Sequence, residues 1–171
     1  MSEVSRAASC FAECAALQPR NLTVTIGEAS LAAGAAAMAV LLELPIWTMF
    51  VGWIAYFTRG QDLPNGAVNL GCVAIGLMIG AAAASVLSVV GAVPGVLEHA
   101  IVVLGVGMIV LSLRFLPIFN ILFGFFLGRV AWFAAHPPVS LAALATLTLA
   151  AALGSVAGWL AQGFQKRIAA G

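Results

Sequence analysis

Six stretches of the chain are almost wholly apolar, and the polar residues between them fall into short clusters. The apolar segments cover about 22–43, 45–57, 67–90, 96–115, 117–134 and 140–163. The first clear turn cluster is Arg59-Gly60-Gln61-Asp62-Leu63-Pro64-Asn65-Gly66. Gly91 to Gly95, with Pro94, makes a tight connection, and His136-Pro137-Pro138 makes the next turn. A bilayer core of about 30 Å takes a helix of roughly 20 residues. Segments 22–43, 67–90, 96–115 and 140–163 reach that length. Segment 45–57 does not, spanning only about 20 Å at 1.5 Å per residue, and 117–134 is intermediate.

The short segments each begin at a repeated stretch. Leu44-Pro45-Ile46-Trp47-Thr48-Met49-Phe50-Val51-Gly52-Trp53 returns 72 residues later as Leu116-Pro117-Ile118-Phe119-Asn120-Ile121-Leu122-Phe123-Gly124-Phe125. Leu, Pro, Ile and Gly are identical, and Trp47/Phe119 and Trp53/Phe125 keep an aromatic in register. Proline suits the first position of a helix and breaks the one before it. The pattern therefore predicts, twice, a long helix, a break at Leu-Pro and a short aromatic helix. Paired proline-interrupted segments in corresponding halves of a membrane protein point to a transport site. The expected fold is an all-α integral membrane protein with six hydrophobic segments in a 3+3 internal repeat, the Leu-Pro breaks falling at Pro45 and Pro117.

Whether the short segments cross or re-enter bears on orientation. Cytoplasmic loops carry an excess of Lys and Arg. With six crossings and a cytoplasmic start, Arg6, Arg20, Arg59, Arg114, Lys166 and Arg167 lie inside and Arg129 outside. With four crossings, Arg59, Arg114 and Arg129 all fall outside. Six crossings fit better, and three per repeat make the halves inverted. The expected organisation is an N-terminal tail over 1–21, cytoplasmic or interfacial, then one transmembrane domain over 22–164. Its repeats cover about 22–90 and 94–163, and a cytoplasmic C-terminal tail follows over 165–171. Glu13 interrupts the only apolar run near the start, Cys10 to Leu17, which makes a signal peptide a poor fit.

Small residues recur every four positions. Gly76, Gly80, Ala84 and Ser88 form one such face, Ala150, Gly154 and Gly158 another, and Gly124 and Gly128 a third. Such faces let helix backbones approach where lipid supplies no hydrophobic push. They predict close packing, either within one subunit or between subunits of a homo-oligomer.

Composition sharpens this. Of 171 residues, 63% are hydrophobic and only 8% charged, against about 25% charged in soluble domains. A mean hydropathy of +1.13 makes lipid the solvent for most of the chain. A formal net charge of +1 leaves no footprint for nucleic acid. Cys10 and Cys14 would share a face if that stretch were helical, but no His or Asp cluster joins them into a metal site, and no cofactor is expected. His99 and His136 stand singly and no nucleophile–base–orienter set is visible, so no enzyme is expected.

Glu28, Glu43, Glu98, His99, Arg114 and Arg129 fall near segment ends, where charged tips reach water at little cost. Glu43, two residues before the first break, is the one placed to face a water-filled vestibule. Thr48 and Asn120 occupy corresponding places on the first turn after each proline. A helix that starts there leaves N–H groups free and a positive dipole end, which suit a carbonyl or another electron-rich group. The candidate substrate path is thus Glu43, Pro45, Trp47, Thr48, Trp53, Pro117, Phe119 and Asn120. Trp132 fits an interfacial belt better than a pore.

The run Leu44 to Gly60 carries Trp47, Phe50, Gly52, Ala55, Tyr56, Phe57 and Gly60 ahead of a glycine-rich helix from Gly66 to Gly80. In this it resembles an uncharacterised bacterial inner-membrane family, domain of unknown function 1097. The resemblance implies an integral protein of a bacterial inner membrane and implies no substrate. Residue by residue, the expectation is a channel or permease for a small neutral or weakly polar solute, urea- or amide-like, since no segment carries a ring of charges. The alternative is a non-transporting partner or assembly subunit that docks through its glycine faces.

Overall fold

The structure, a computed structural model, describes residues 19–58, 62–90, 95–113, 115 and 121–170. Among them are six helices and no strand. They are α1 Pro19–Leu41, α2 Ile46–Phe57, α3 Leu63–Val90, α4 Gly95–Leu113, α5 Leu122–Ala135 and α6 Leu141–Ala170. By length and composition, α1, α3 and α6 are each able to cross a membrane, while α2, α5 and the described part of α4 are shorter apolar helices. Much of the outer surface is apolar: Leu41, Leu104, Met108 and Leu141 are all more than 60% exposed. A water-soluble monomer rarely tolerates so continuous an apolar exterior, and a lipid-facing one requires it.

The chain signals at the helix ends are local. Leu44 N–H donates to the Ala39 carbonyl at 2.8 Å and Glu43 N–H to that of Val40 at 3.1 Å, the paired bonds of a Schellman motif. Glu43 takes the left-handed place in it, φ 53°, which glycine ordinarily fills. Pro45 is then the N-cap of α2, and Met49 N–H donates the first helical bond to its carbonyl at 3.1 Å. The break at Leu44-Pro45 is therefore present, one residue ahead of the helix it opens.

Three boundaries differ from the sequence pattern. Leu63, Pro64, Asn65 and Gly66, which read as loop, form the first turn of α3. Asp62 caps that turn, its Oδ1 accepting the Asn65 N–H at 2.8 Å. The last helix continues through the residues read as a tail and ends at Ala170, so Lys166 and Arg167 lie on its final turns. The second short helix starts at Leu122 and runs to Ala135. The repeat's Pro117, Phe119 and Asn120 lie outside the described residues.

Glycine contacts fix the helix directions. Gly154 of α6 lies against Met49 and Trp53 of α2, and Gly158 lies against Tyr56. Both series ascend together, so α2 and α6 run parallel. Gly124 of α5 lies against Cys72 of α3, Gly128 against Leu77, and Gly80 against Trp132. That pair is parallel too. The head of α1 meets the foot of α6, with Gly27 under the Phe164 ring, so those two are antiparallel. The core lies where these pairs join, with Val51, Ala55, Val73, Leu77, Ala131, Trp132, Leu147 and Ala151 in one cluster. Trp132 is buried there, not at an interfacial belt. Its ring fills the space above Gly80, a contact that only folding of α3 onto α5 creates.

Candidate functional site: a buried polar string along α2

The six glycines singled out by spacing are all occupied by atoms of the chain itself. A Cβ at Gly76 would stand 3.0 Å from the Phe125 carbonyl carbon, and one at Gly80 2.8 Å from Trp132 Cβ. One at Gly124 would stand 2.8 Å from Cys72 Cβ, and one at Gly128 2.8 Å from Leu77 N. Gly154 would meet Met49 and Trp53 backbone, and Gly158 the Tyr56 side chain. Gly52, which spacing did not single out, presses on Ala151 in the same way. Its signal was available: it is the repeat partner of Gly124.

These contacts bring α2 against α3 and α6 along most of its length and bury a string of polar groups. At the foot, Tyr56 Oη donates to Gln162 Oε1 at 2.7 Å, and both residues are buried. Asn69 of α3 donates through Nδ2 to the Ala55 carbonyl at 2.6 Å. That carbonyl, in the last turn of α2, also accepts the Thr58 N–H at 3.1 Å and the Thr58 hydroxyl at 2.8 Å. Higher up, Ser155 Oγ donates to the Gly52 carbonyl at 3.1 Å. At the head, Thr48 is fully buried on the first turn.

Two polar atoms in this string have no hydrogen-bond partner: the Thr48 hydroxyl, which can donate or accept, and the acceptor Asn69 Oδ1. A buried polar atom left unpaired costs roughly 1–3 kcal/mol, so natural structures seldom keep one without a use. Pro45 supplies no side-chain cap, which leaves the first amides of α2 without an intrahelical acceptor beside Thr48. The head of α2 lies partway along α6. Gly158 opposite Tyr56 sets Ile46 level with about residue 148 of α6, roughly 10 Å along the axis from the start of α6 at Leu141.

Pro45, the N-cap, is an expected path residue that the described structure sets on the same helix start as Thr48. Glu43 and Trp47 are exposed, Trp47 by 63%. Trp53 packs into a second cluster with Ala35, Ala39, Met49 and Ala157, its ring 6.3 Å from that of Phe57. Three clefts lie among the described residues. One of about 180 Å³, lined by Tyr56, Gly66, Leu70, Ser155 and Trp159, reaches the foot of the polar string between α3 and α6. Another of about 410 Å³ lies between α1 and the end of α6. A third, of about 250 Å³, lies between α3, α4 and α5 and holds Arg129. Sequence reasoning missed the bond between Tyr56 and Gln162. Among the described residues no group of three or more His, Cys, Asp and Glu side chains is arranged to hold a metal.

No curated protein and no solved structure matches the chain. The model of the family described as "Protein of unknown function (DUF1097)" matches residues 25–165, most of the length, and the chain belongs to that family.

Proposed function

We propose that the chain is a permease of a bacterial inner membrane for a small neutral or weakly polar solute, built from two inverted halves of three helices. The observation that carries this reading is the pair of unpartnered buried polar atoms, Thr48 Oγ1 and Asn69 Oδ1, near the two ends of one short helix. A hydroxyl that donates or accepts and an amide oxygen that accepts suit a solute with both kinds of group, such as an amide or urea, and neither carries charge to bind an ion. Thr48 and Asn69 are fully buried, so the reading is of a carrier or gated channel in a closed state, with the cleft at Tyr56 and Ser155 reaching the foot of the string.

Several contacts support inversion of the halves. The short helix of each half runs parallel to the third helix of the other, α2 with α6 and α5 with α3. Gly52 and Gly124, 72 residues apart, hold the same place in those two pairs. Alternating crossings give the same directions, both members of each pair crossing the same way. Both termini are then cytoplasmic. The reading as a partner subunit docking through glycine faces has lost its support, because those faces are taken up within the chain. A homo-oligomer, if formed, uses other surfaces.

The test is solute flux in liposomes. Thr48→Val and Asn69→Leu should each lower urea or acetamide flux several-fold at unchanged protein yield. Interhelical hydrogen bonds in lipid average only about 0.6 kcal/mol, so folding should survive both changes. Unchanged flux in the double variant moves the path away from α2, and a parent protein that conducts no small neutral solute ends the permease reading.

A further inference from the structure

Arg129 is the charged residue of α5, seven residues after Leu122 and six before Ala135. At 1.5 Å per residue its backbone is roughly 10 Å from either end of the helix, so it is not one of the end residues that reach interfacial water freely. The residue is half-buried, and its Nε is buried without a hydrogen-bond partner. Its guanidinium carbon lies 5.3 Å from the Phe126 ring centroid, a cation–π contact that offsets part of the lost hydration but supplies no counter-charge. A charge held within a membrane-spanning helix is costly and by default marks a functional site.

Arg129 lines the cleft of about 250 Å³ between α3, α4 and α5. Among the described residues the rest of the lining is apolar, with Leu87 from α3, Val102 and Val106 from α4 and Phe133 from α5. Val103 and Phe133 are exposed on the outside of the bundle, so the cleft can be entered between α4 and α5. An enclosed apolar cavity of about 150 Å³ holds benzene, so this one has room for a ring and a small head. Glu98 is the acidic residue of α4, one helical turn before Val102, and its side chain lies outside the described residues.

We propose that this cleft binds a small monocarboxylate with an apolar body, its carboxylate at the Arg129 guanidinium and its body against Leu87, Val102, Val106 and Phe133. The site is separate from the polar string along α2, and the inference is independent of which solute that string takes. Charge complementarity selects the head: one cation matches the single charge of a carboxylate, where a phosphate monoester carries about two. The planar guanidinium fork also fits carboxylate geometry. The apolar walls select a body that acetate and inorganic phosphate lack. Hydrogen bonds between charged partners are roughly twice as strong as neutral ones, so the carboxylate should bind about tenfold or more tightly than its neutral amide.

The experiment titrates the full chain in dodecyl maltoside with benzoate, benzamide and acetate, read by thermal unfolding, since a ligand of the folded chain raises its melting temperature. Benzoate should do so with an apparent affinity about tenfold or more above those of the other two. Arg129→Gln should remove that preference. Val103→Trp, at an exposed position on the rim, should leave ligand-free melting unchanged and weaken benzoate several-fold. Glu98→Gln should leave benzoate binding in place. Equal shifts from benzoate and benzamide or from benzoate and acetate, a preference kept in Arg129→Gln, or full affinity kept in Val103→Trp would each overturn the proposal. So would benzoate binding that appears only after Glu98→Gln, since the arginine would then be paired within the chain. An Arg129-dependent shift from dioleoyl phosphatidylglycerol with none from benzoate would make the occupant a lipid and overturn it too.

Discussion

Gly154→Ala is the substitution whose cost the geometry sets most directly. A Cβ there would stand 2.8 Å from the Met49 carbonyl carbon and 2.8 Å from Trp53 N, with the Met49 carbonyl oxygen nearer still. Ordinary contact begins near 3.4 Å, and all three obstacles are backbone, so no rotamer change relieves them. The two helices must move apart by more than half an ångström, a gap that forfeits about a quarter to a half of each lost dispersion contact. Overpacking of this kind costs about 1–3 kcal/mol, and alanine returns up to about 1 kcal/mol of helix propensity. The net expectation is a destabilisation of about 1–2 kcal/mol. Gly105→Ala is the control, because a Cβ at Gly105 meets nothing within 4 Å and only the propensity gain remains. Reversible unfolding in mixed dodecyl maltoside and dodecyl sulfate micelles, followed by tryptophan fluorescence, should separate the two variants by about 2–3 kcal/mol on those terms. Equal midpoints would refute the claim that α2 and α6 touch backbone to backbone at this glycine.

Other outcomes follow from single residues. Glu43→Gly should raise stability by about 0.5–1 kcal/mol in the same assay, since a left-handed non-glycine residue costs about 1–2 kcal/mol and glycine's extra chain entropy returns part of it. A loss of stability would mean that the Glu43 side chain makes a contact worth more than the strain. Tyr56→Phe leaves Gln162 without its hydroxyl and should cost about 1 kcal/mol, within the range seen for interhelical bonds in lipid. Adding Gln162→Leu should cost less than the sum of the two single changes, because both remove the same bond. Additive losses would contradict the pairing.

The break before α2 was legible because proline removes a donor and clashes with the preceding turn, wherever the chain lies. The residue that ends α1 was not. Glu43 reads as a charged group poised over a vestibule, yet its backbone fills a glycine place in a Schellman motif and its side chain is exposed. Turn-forming residues also misled at Asp62-Leu63-Pro64-Asn65-Gly66, since Asp at an N-cap and Pro in a first turn start a helix as readily as they make a loop. Spacing found Gly124, Gly154 and Gly158 but left open whether they face another subunit. Only the pairing of α2 with α6 and of α3 with α5 decides that. Tyr56 and Gln162 are 106 residues apart, and nothing local in either segment announces the bond between them. Thr48 was visible as a polar residue at a helix head, and its lack of a partner needed the whole fold.

Topology tests the central claim most directly. In a background with Cys10, Cys14 and Cys72 replaced by alanine, single cysteines go at Thr58, in the α2–α3 connection, and at Val139, in the α5–α6 connection. Both positions are exposed. Labelling of intact cells with a membrane-impermeant maleimide should modify position 139 and spare position 58, which should react only after the membrane is opened. That result is required of two inverted halves with three crossings each. Reaction of both positions in intact cells, or of neither, would contradict it.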